Sequence, residues 1–226
     1  MNITYKGYTP QNFGAWLASI PVLTHSTKVR NTWQVPNKNG EAMEAKFGRT
    51  NAQWDVLIHM KNATWAKSKR AITKWLSGTG KLIMSDADDA YYEVLNVDIT
   101  EDFKKDETYG RIRAIFTVYP YEFLDSGDTG ITSFPITNNA EECYPLYKIA
   151  GTGNGTLTVN NKTMTYTVNG TLYIDTRRKI AYDGSNNDKD SAINGDYDNL
   201  ILNSGSNSVS ATVGTLTVYP KWGYNV

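Results

Sequence analysis

The chain of 226 residues has one cysteine, Cys143, and two histidines, His25 and His59. A single thiol excludes an internal disulfide and any zinc site built from several thiolates. In Glu141-Glu142-Cys143-Tyr144-Pro145 two carboxylates oppose the thiolate that nucleophilic chemistry needs, so Cys143 reads as a small packing residue. Neither histidine belongs to a ligand-type cluster, and His59 sits in an alternating strand pattern. Net charge is also missing: 23 basic residues balance 23 acidic ones, which leaves no global field for nucleic acid or an anionic membrane. No apolar run approaches the roughly 20 residues of a membrane span. The opening Met1-Asn2-Ile3-Thr4-Tyr5 lacks the charged and apolar blocks of a signal peptide. The Asn-x-Thr sequons at Asn154, Asn161 and Asn169 therefore read as hairpin chemistry rather than glycan sites.

Enzymatic motifs are absent as well. There is no Gly-x-Ser-x-Gly elbow. Gly151-Thr-Gly-Asn-Gly155 is glycine-rich, but no helix follows to present its amino end to a phosphate, so it reads as a turn. Asp183 to Asp190 imitates a calcium loop. Counted from Asn186, however, the glycine position holds Ser191 and the twelfth position holds Tyr197 instead of a bidentate glutamate. Asp86, Asp88 and Asp89 pair carboxylates without anything to separate an acid from a base. The expectation is no catalytic residue, no cofactor and no metal.

What the chain does have is β-forming residues: 15 Tyr and 6 Trp among many Thr, Val and Ile, with 40% hydrophobic and 20% charged residues. Ile3 to Tyr5 reads as a strand, followed by a short turn in which Thr9 caps, Pro10 takes the first position and Gly14 closes. Thr32 to Phe47 reads as a hairpin about Asn39-Gly40, with Met43, Ala45 and Phe47 alternating along one arm. Trp54 to Met60 is a strand. One long helix is predicted over Ala63 to Leu76, with Trp65, Ile72, Trp75 and Leu76 on one face, and Gly78 stopping it. Lys81 to Met84 is a strand, Asp86 to Asp89 a polar turn, and Tyr91 to Asp98 pairs with Arg111 to Tyr119, which Pro120 ends.

Composition shifts after Leu124. Asp125-Ser-Gly-Asp-Thr-Gly130 reads as a linker, dividing a first domain (1–128) from a second (129–226). Beyond it helical periodicity disappears. About seven short β runs alternate with turns at Asn154-Gly155, Asn169-Gly170 and Asn194-Gly195, the pattern of a β-sandwich.

Charge is segregated locally. Residues 56–85 carry six bases (Lys61, Lys67, Lys69, Arg70, Lys74, Lys81) and no acid, while residues 86–102 carry seven acids and no base. Two solvated faces of one molecule account for this. So does a head-to-tail contact in which Lys67, Arg70 and Lys74 of one copy meet Asp86, Asp88 and Asp89 of the next. Met43 and Phe47 on the hairpin are further interface candidates, because an isolated two-stranded ribbon is marginal in water.

The order of these features resembles the distal tail proteins of siphophages. The resemblance is carried by Ile3-Thr-Tyr-Lys-Gly-Tyr8 with Phe13-Gly-Ala-Trp-Leu17, the Asn37-Lys-Asn-Gly40 hairpin and the helix end Ile72-Thr-Lys-Trp-Leu76. It continues through Lys81 to Tyr92, Arg111 to Pro120, Tyr144 to Ile149 with Gly151-Thr-Gly, Leu172-Tyr-Ile-Asp175, Leu200 to Asn207 and Tyr219-Pro-Lys-Trp222. It implies a mainly β fold in which a first, belt domain of β-sandwich with one α-helix and a projecting β-hairpin arm precedes a galectin-like β-sandwich. It also implies a homo-hexameric ring about a channel, in the phage tail tip. The tail-tube protein, the tail-associated hub protein and receptor-binding or baseplate proteins would be its partners. DNA would only pass through the channel. Assembly would take place in the bacterial cytoplasm, from a phage or prophage gene. Inserted carbohydrate-binding modules of larger members have no interval here. The rival reading is a carbohydrate-binding module using the second sandwich, for which Tyr166, Tyr173, Tyr182 and Tyr197 are the candidate aromatic platform.

Overall fold

The computed structural model describes residues 2–36, 39–61, 64–105 and 109–226, without the side chains of 45–47 and 102–105. The chain divides into two compact units: residues 1–122 with 225–226, and residues 123–224. The architecture is mainly β with one α-helix among the described residues, as expected from the sequence.

In the first unit the strands are β1 (Ile3–Tyr5), β2 (Ala15–Leu17), β3 (Val22–Thr24), β4 (Lys28–Gln34), β5 (Glu41–Arg49) and β6 (Ala52–Lys61). After α1 (Trp65–Trp75) follow β7 (Gly80–Met84), β8 (Ala87–Lys105) and β9 (Tyr109–Leu124). The main sheet runs β1-β7-β8-β9-β6-β2, with β3 also on β6. Alternation along β6 buries Val56, Ile58 and Met60, which face Ala114, Ile112 and Gly110 of β9 in register. Helix α1 lays Ser68, Ile72 and Trp75 onto this core, at the spacing of one helical stripe. It is pinned there by Trp75 Nε1 donating to the Tyr5 carbonyl at 2.8 Å and by the Phe13–Trp75 ring contact at 5.1 Å. The Thr9-Pro10 signal forms a 3-10 turn over Pro10–Phe13, closed by Gly14 at φ +69°. Ala63 and Asn62, at the predicted helix start, lie outside the described residues.

Two local expectations change. Asp88 and Asp89 belong to β8 rather than to a turn, because Ser85-Asp86 suffices to reverse the chain and Met84 already pairs with Ala87. Pro120 does not end β9: it lacks a donor, but its carbonyl still accepts from the Val226 amide, so the strand continues to Leu124.

The second unit contains β10 (Ile136–Asn138), β11 (Leu146–Val159), β12 (Lys162–Asp175), β13 (Ile180–Asp183), β14 (Ile193–Asn194), β15 (Gly205–Asn207), β16 (Val209–Ala211) and β17 (Thr215–Tyr219). A last strand, β18 (Gly223–Asn225), ends at the chain's return to the first unit. Asp125–Asp128, read as linker, forms a 3-10 turn within the second unit. The larger sheet is β13-β12-β11-β16, with β17 also on β11 and β14 on β12, and β10-β15 pair separately. Tyr147, Ile149, Leu157, Val159, Ile174 and Leu202 fill the core.

The glycine-rich 151–155 segment is the middle of β11, not a turn, and pairs with β12 residue by residue. Its glycines permit close approach. A Cβ on Gly151 would meet Gly214 Cα at 2.8 Å, and one on Gly155 would meet the Tyr166 ring and hydroxyl at 2.5 Å. The β11–β12 reversal falls instead at Asn160-Asn161, both at positive φ (48° and 68°), a conformation asparagine tolerates. Leu200 likewise ends a 3-10 turn (Tyr197–Leu200) rather than opening a strand.

Candidate functional site

The described residues contain no group of three His, Cys, Asp or Glu arranged to hold a metal ion. The carboxylates of the 183–190 loop are occupied in shaping it. Asp183 accepts from the amides of Ser185 and Asn187 and from the Asn187 side chain, which hold its pKa down to about 2. Asp188 accepts from the Asp190 amide, and Asp190 from the Ala181 amide and the Tyr197 hydroxyl. Cys143 is buried against Asn138, and burial with the neighbouring Glu142 pushes its thiol up to about 12. On the outer face of the first unit's sheet, Arg113 lies between Asp55 (2.5 Å) and Glu101 (3.7 Å), beside a groove of about 240 Å³. Asp55 is held below the usual carboxylate range by Arg113. Arg113 thus pairs with two carboxylates at once.

The assembly candidates behave differently. Lys67, Arg70 and Lys74 are all exposed on α1, and Asp86, Asp88 and Asp89 are all exposed at the β7–β8 reversal. Both sets lie in the first unit, and among the described residues no ion pair joins any of these three bases to any of these three acids. Arg70 Nε instead caps the Ala66 carbonyl of its own helix at 3.1 Å.

The hairpin arm is present as a separate two-stranded sheet, β4 with β5, which pairs with no other strand among the described residues. Its base is tied down: the Thr50 amide donates to the Thr27 carbonyl, and Arg49 donates to the Ser26 hydroxyl at 2.7 Å. Every residue of β4 is exposed. The register sets Trp33 opposite Ala42 and Met43 opposite Thr32, so each face of the ribbon carries an apolar residue. Trp33 is 50% exposed and Met43 56%. The Phe47 side chain, and Asn37 and Lys38 of the predicted hairpin, lie outside the described residues. Trp33 was missed in the sequence reading, although its place near the tip of an alternating arm marks it.

Of the four candidate platform tyrosines, Tyr166 is buried, with its hydroxyl donating to the Val213 carbonyl. Tyr173 and Tyr182 stack across β12 and β13 with centroids 5.1 Å apart, and Tyr197 reaches Asp190 at 3.0 Å.

No protein-family model and no curated protein matches the chain. Among solved structures, it matches the crystal structure of the SPP1 Dit protein, described there as a paradigm of the hub adsorption apparatus in phages that infect Gram-positive bacteria. The likeness covers 96% of each chain with a TM-score of 0.67, at 11% identity. Across both units, then, the chain has the fold of SPP1 Dit, in agreement with the distal-tail resemblance carried by its motifs.

Proposed function

We propose that the chain is a non-enzymatic structural subunit of a phage tail tip, of which six copies close head to tail into a ring at the end of a long non-contractile tail. The first unit, as the belt domain, lines the channel. One face of the ring meets the tail-tube protein and the other the tail-associated hub protein. The galectin-like second unit carries receptor-binding or baseplate proteins. The observation that carries this reading is the end-to-end likeness in fold to SPP1 Dit. The β4–β5 ribbon supports it, because a two-stranded ribbon with apolar residues on both faces gains stability only against another surface.

The separated charge faces supply a register for the ring. Lys67, Arg70 and Lys74 of one copy would meet Asp86, Asp88 and Asp89 of the next, a heterologous contact that closes when the rotation permits. Light scattering on the purified chain at low and moderate salt tests this. The expected result is a mass near six subunits that falls as salt screens exposed charges. Reversing the three bases to glutamate gives monomers, and reversing the three acids to lysine in the same chain restores the ring. A salt-insensitive hexamer would remove the charge contact, and a monomer under all conditions would remove the ring.

A further inference from the structure

We infer that the outer edge of the second unit's larger sheet holds a binding site for a neutral saccharide, with Tyr182 as its stacking surface. Three outward-facing side chains form a row across neighbouring strands. Lys148 of β11 stands opposite Tyr173 of β12, its ammonium 5.9 Å from the ring centroid, and Tyr173 stands opposite Tyr182 of β13. The tyrosine rings are stacked, 5.1 Å apart and within 13° of parallel. One face of Tyr182 is therefore covered. Strand β13 is the sheet edge, and on its far side the 183–190 loop folds back so that Asp188 bridges Tyr182 and the Lys189 amide donates to the Ala181 carbonyl. A groove of about 560 Å³ lies here, lined by Arg178, Ile180, Tyr182, Asn186, Asp188 and Asp190.

The polar groups of the groove are only partly used. Arg178 reaches Asp175 through Nε at 3.8 Å, and among the described residues its terminal nitrogens make no ion pair or hydrogen bond. The Asn186 backbone amide donates to the Asp183 carbonyl, but among the described residues its side-chain amide makes no hydrogen bond and the second carboxylate oxygens of Asp188 and Asp190 accept none. The loop that presents them is held in advance by the Asp183 turn and the Lys189–Asp183 pair at 3.6 Å, so little order is lost on binding.

Charge selects the ligand class. Two carboxylates against one guanidinium repel a phosphate polymer, and the guanidinium together with a single open ring face disfavours a quaternary ammonium, which wants an aromatic cage. Hydroxyls, each donor and acceptor at once, match the mixture of free donors and acceptors. A pyranose offers such hydroxyls at its rim and an apolar C–H face for the tyrosine. Small-ligand sites commonly combine an aromatic wall with a few placed polar groups in this way.

Saturation-transfer NMR on the full chain tests the inference, using neutral tetrasaccharides of glucose, galactose and N-acetylglucosamine, with oligomeric glycerol phosphate and choline as comparisons. At least one neutral tetrasaccharide is expected to bind. Tyr182→Ala and Asn186→Gly are each expected to weaken it about tenfold or more, with assembled mass unchanged and, for Asn186→Gly, melting temperature unchanged as well. Asn186→Gly removes the side-chain amide and suits the backbone at φ +62°, so its effect is readable even if Tyr182→Ala perturbs the edge strand. Binding of none of the neutral probes would overturn the inference. So would affinity that survives both substitutions, or preference for glycerol phosphate or choline.

Discussion

Replacing Trp33 with alanine should leave the single chain folded and break its assembly. The side chain stands on the β4–β5 ribbon at 50% exposure. A tryptophan presents up to roughly 250 Å², so about 125 Å² remains to be covered by a neighbouring copy. At about 25 cal/mol per Å² that area is worth about 3 kcal/mol per contact. Truncation should cost 2–3 kcal/mol, roughly 30- to 150-fold in the association constant at each junction. Within one chain the loss is small, because β4 contributes no buried residue to the core. Sedimentation across a concentration series, beside a thermal melt, separates the two effects. The expected variant melts with the parent but assembles only at far higher concentration. An unchanged assembly midpoint would refute the docking of this ribbon, and a melt lowered by many degrees would show that Trp33 packs within its own chain.

Three further outcomes follow from the packing and the titrating groups. Gly110→Ala places a Cβ 2.2 Å from two carbons of the Trp65 ring and must displace that ring at the start of α1. The cost should be about 1–3 kcal/mol, lowering the melting temperature by several degrees, and Trp65→Ala in the same chain should relieve part of it. Asp183 has its folded pKa depressed to about 2, so its contribution is present above the unfolded carboxylate value and is lost as pH falls toward 2. Amide shifts of Ser185 and Asn187 should therefore move over that acidic window, and hold still from pH 5 to 8. Cys143, with its thiol pushed up to about 12, should resist iodoacetamide at pH 8 in the folded chain and react on unfolding.

Much of this was legible in the sequence, for reasons that differ by element. The helix is marked by Ile72 and Trp75 at a helical interval with Lys67, Arg70 and Lys74 opposite, and it forms over Trp65–Trp75. The arm is marked by alternation about Asn39-Gly40, and its strands extend beyond the predicted Thr32–Phe47 range to Lys28 and Arg49. The second unit was legible as a class and misread in detail, because a glycine is ambiguous in one dimension. At Gly40 (φ +89°) it serves a reversal, while at Gly151 and Gly155 it admits a neighbouring backbone or ring. Only the fold reveals which. The Asn160-Asn161 reversal was hidden because asparagine was read as a turn signal only before glycine. The saccharide edge was half visible: the tyrosines were named, but the register that stacks Tyr173 on Tyr182 and buries Tyr166 is a property of strand pairing.

Electron-microscope class averages of the purified chain test the central claim most directly, because they show symmetry as well as size. The account predicts closed rings of six subunits around an open channel, lost in the Trp33→Ala chain. Single particles of one subunit, or open filaments without closure, would contradict it.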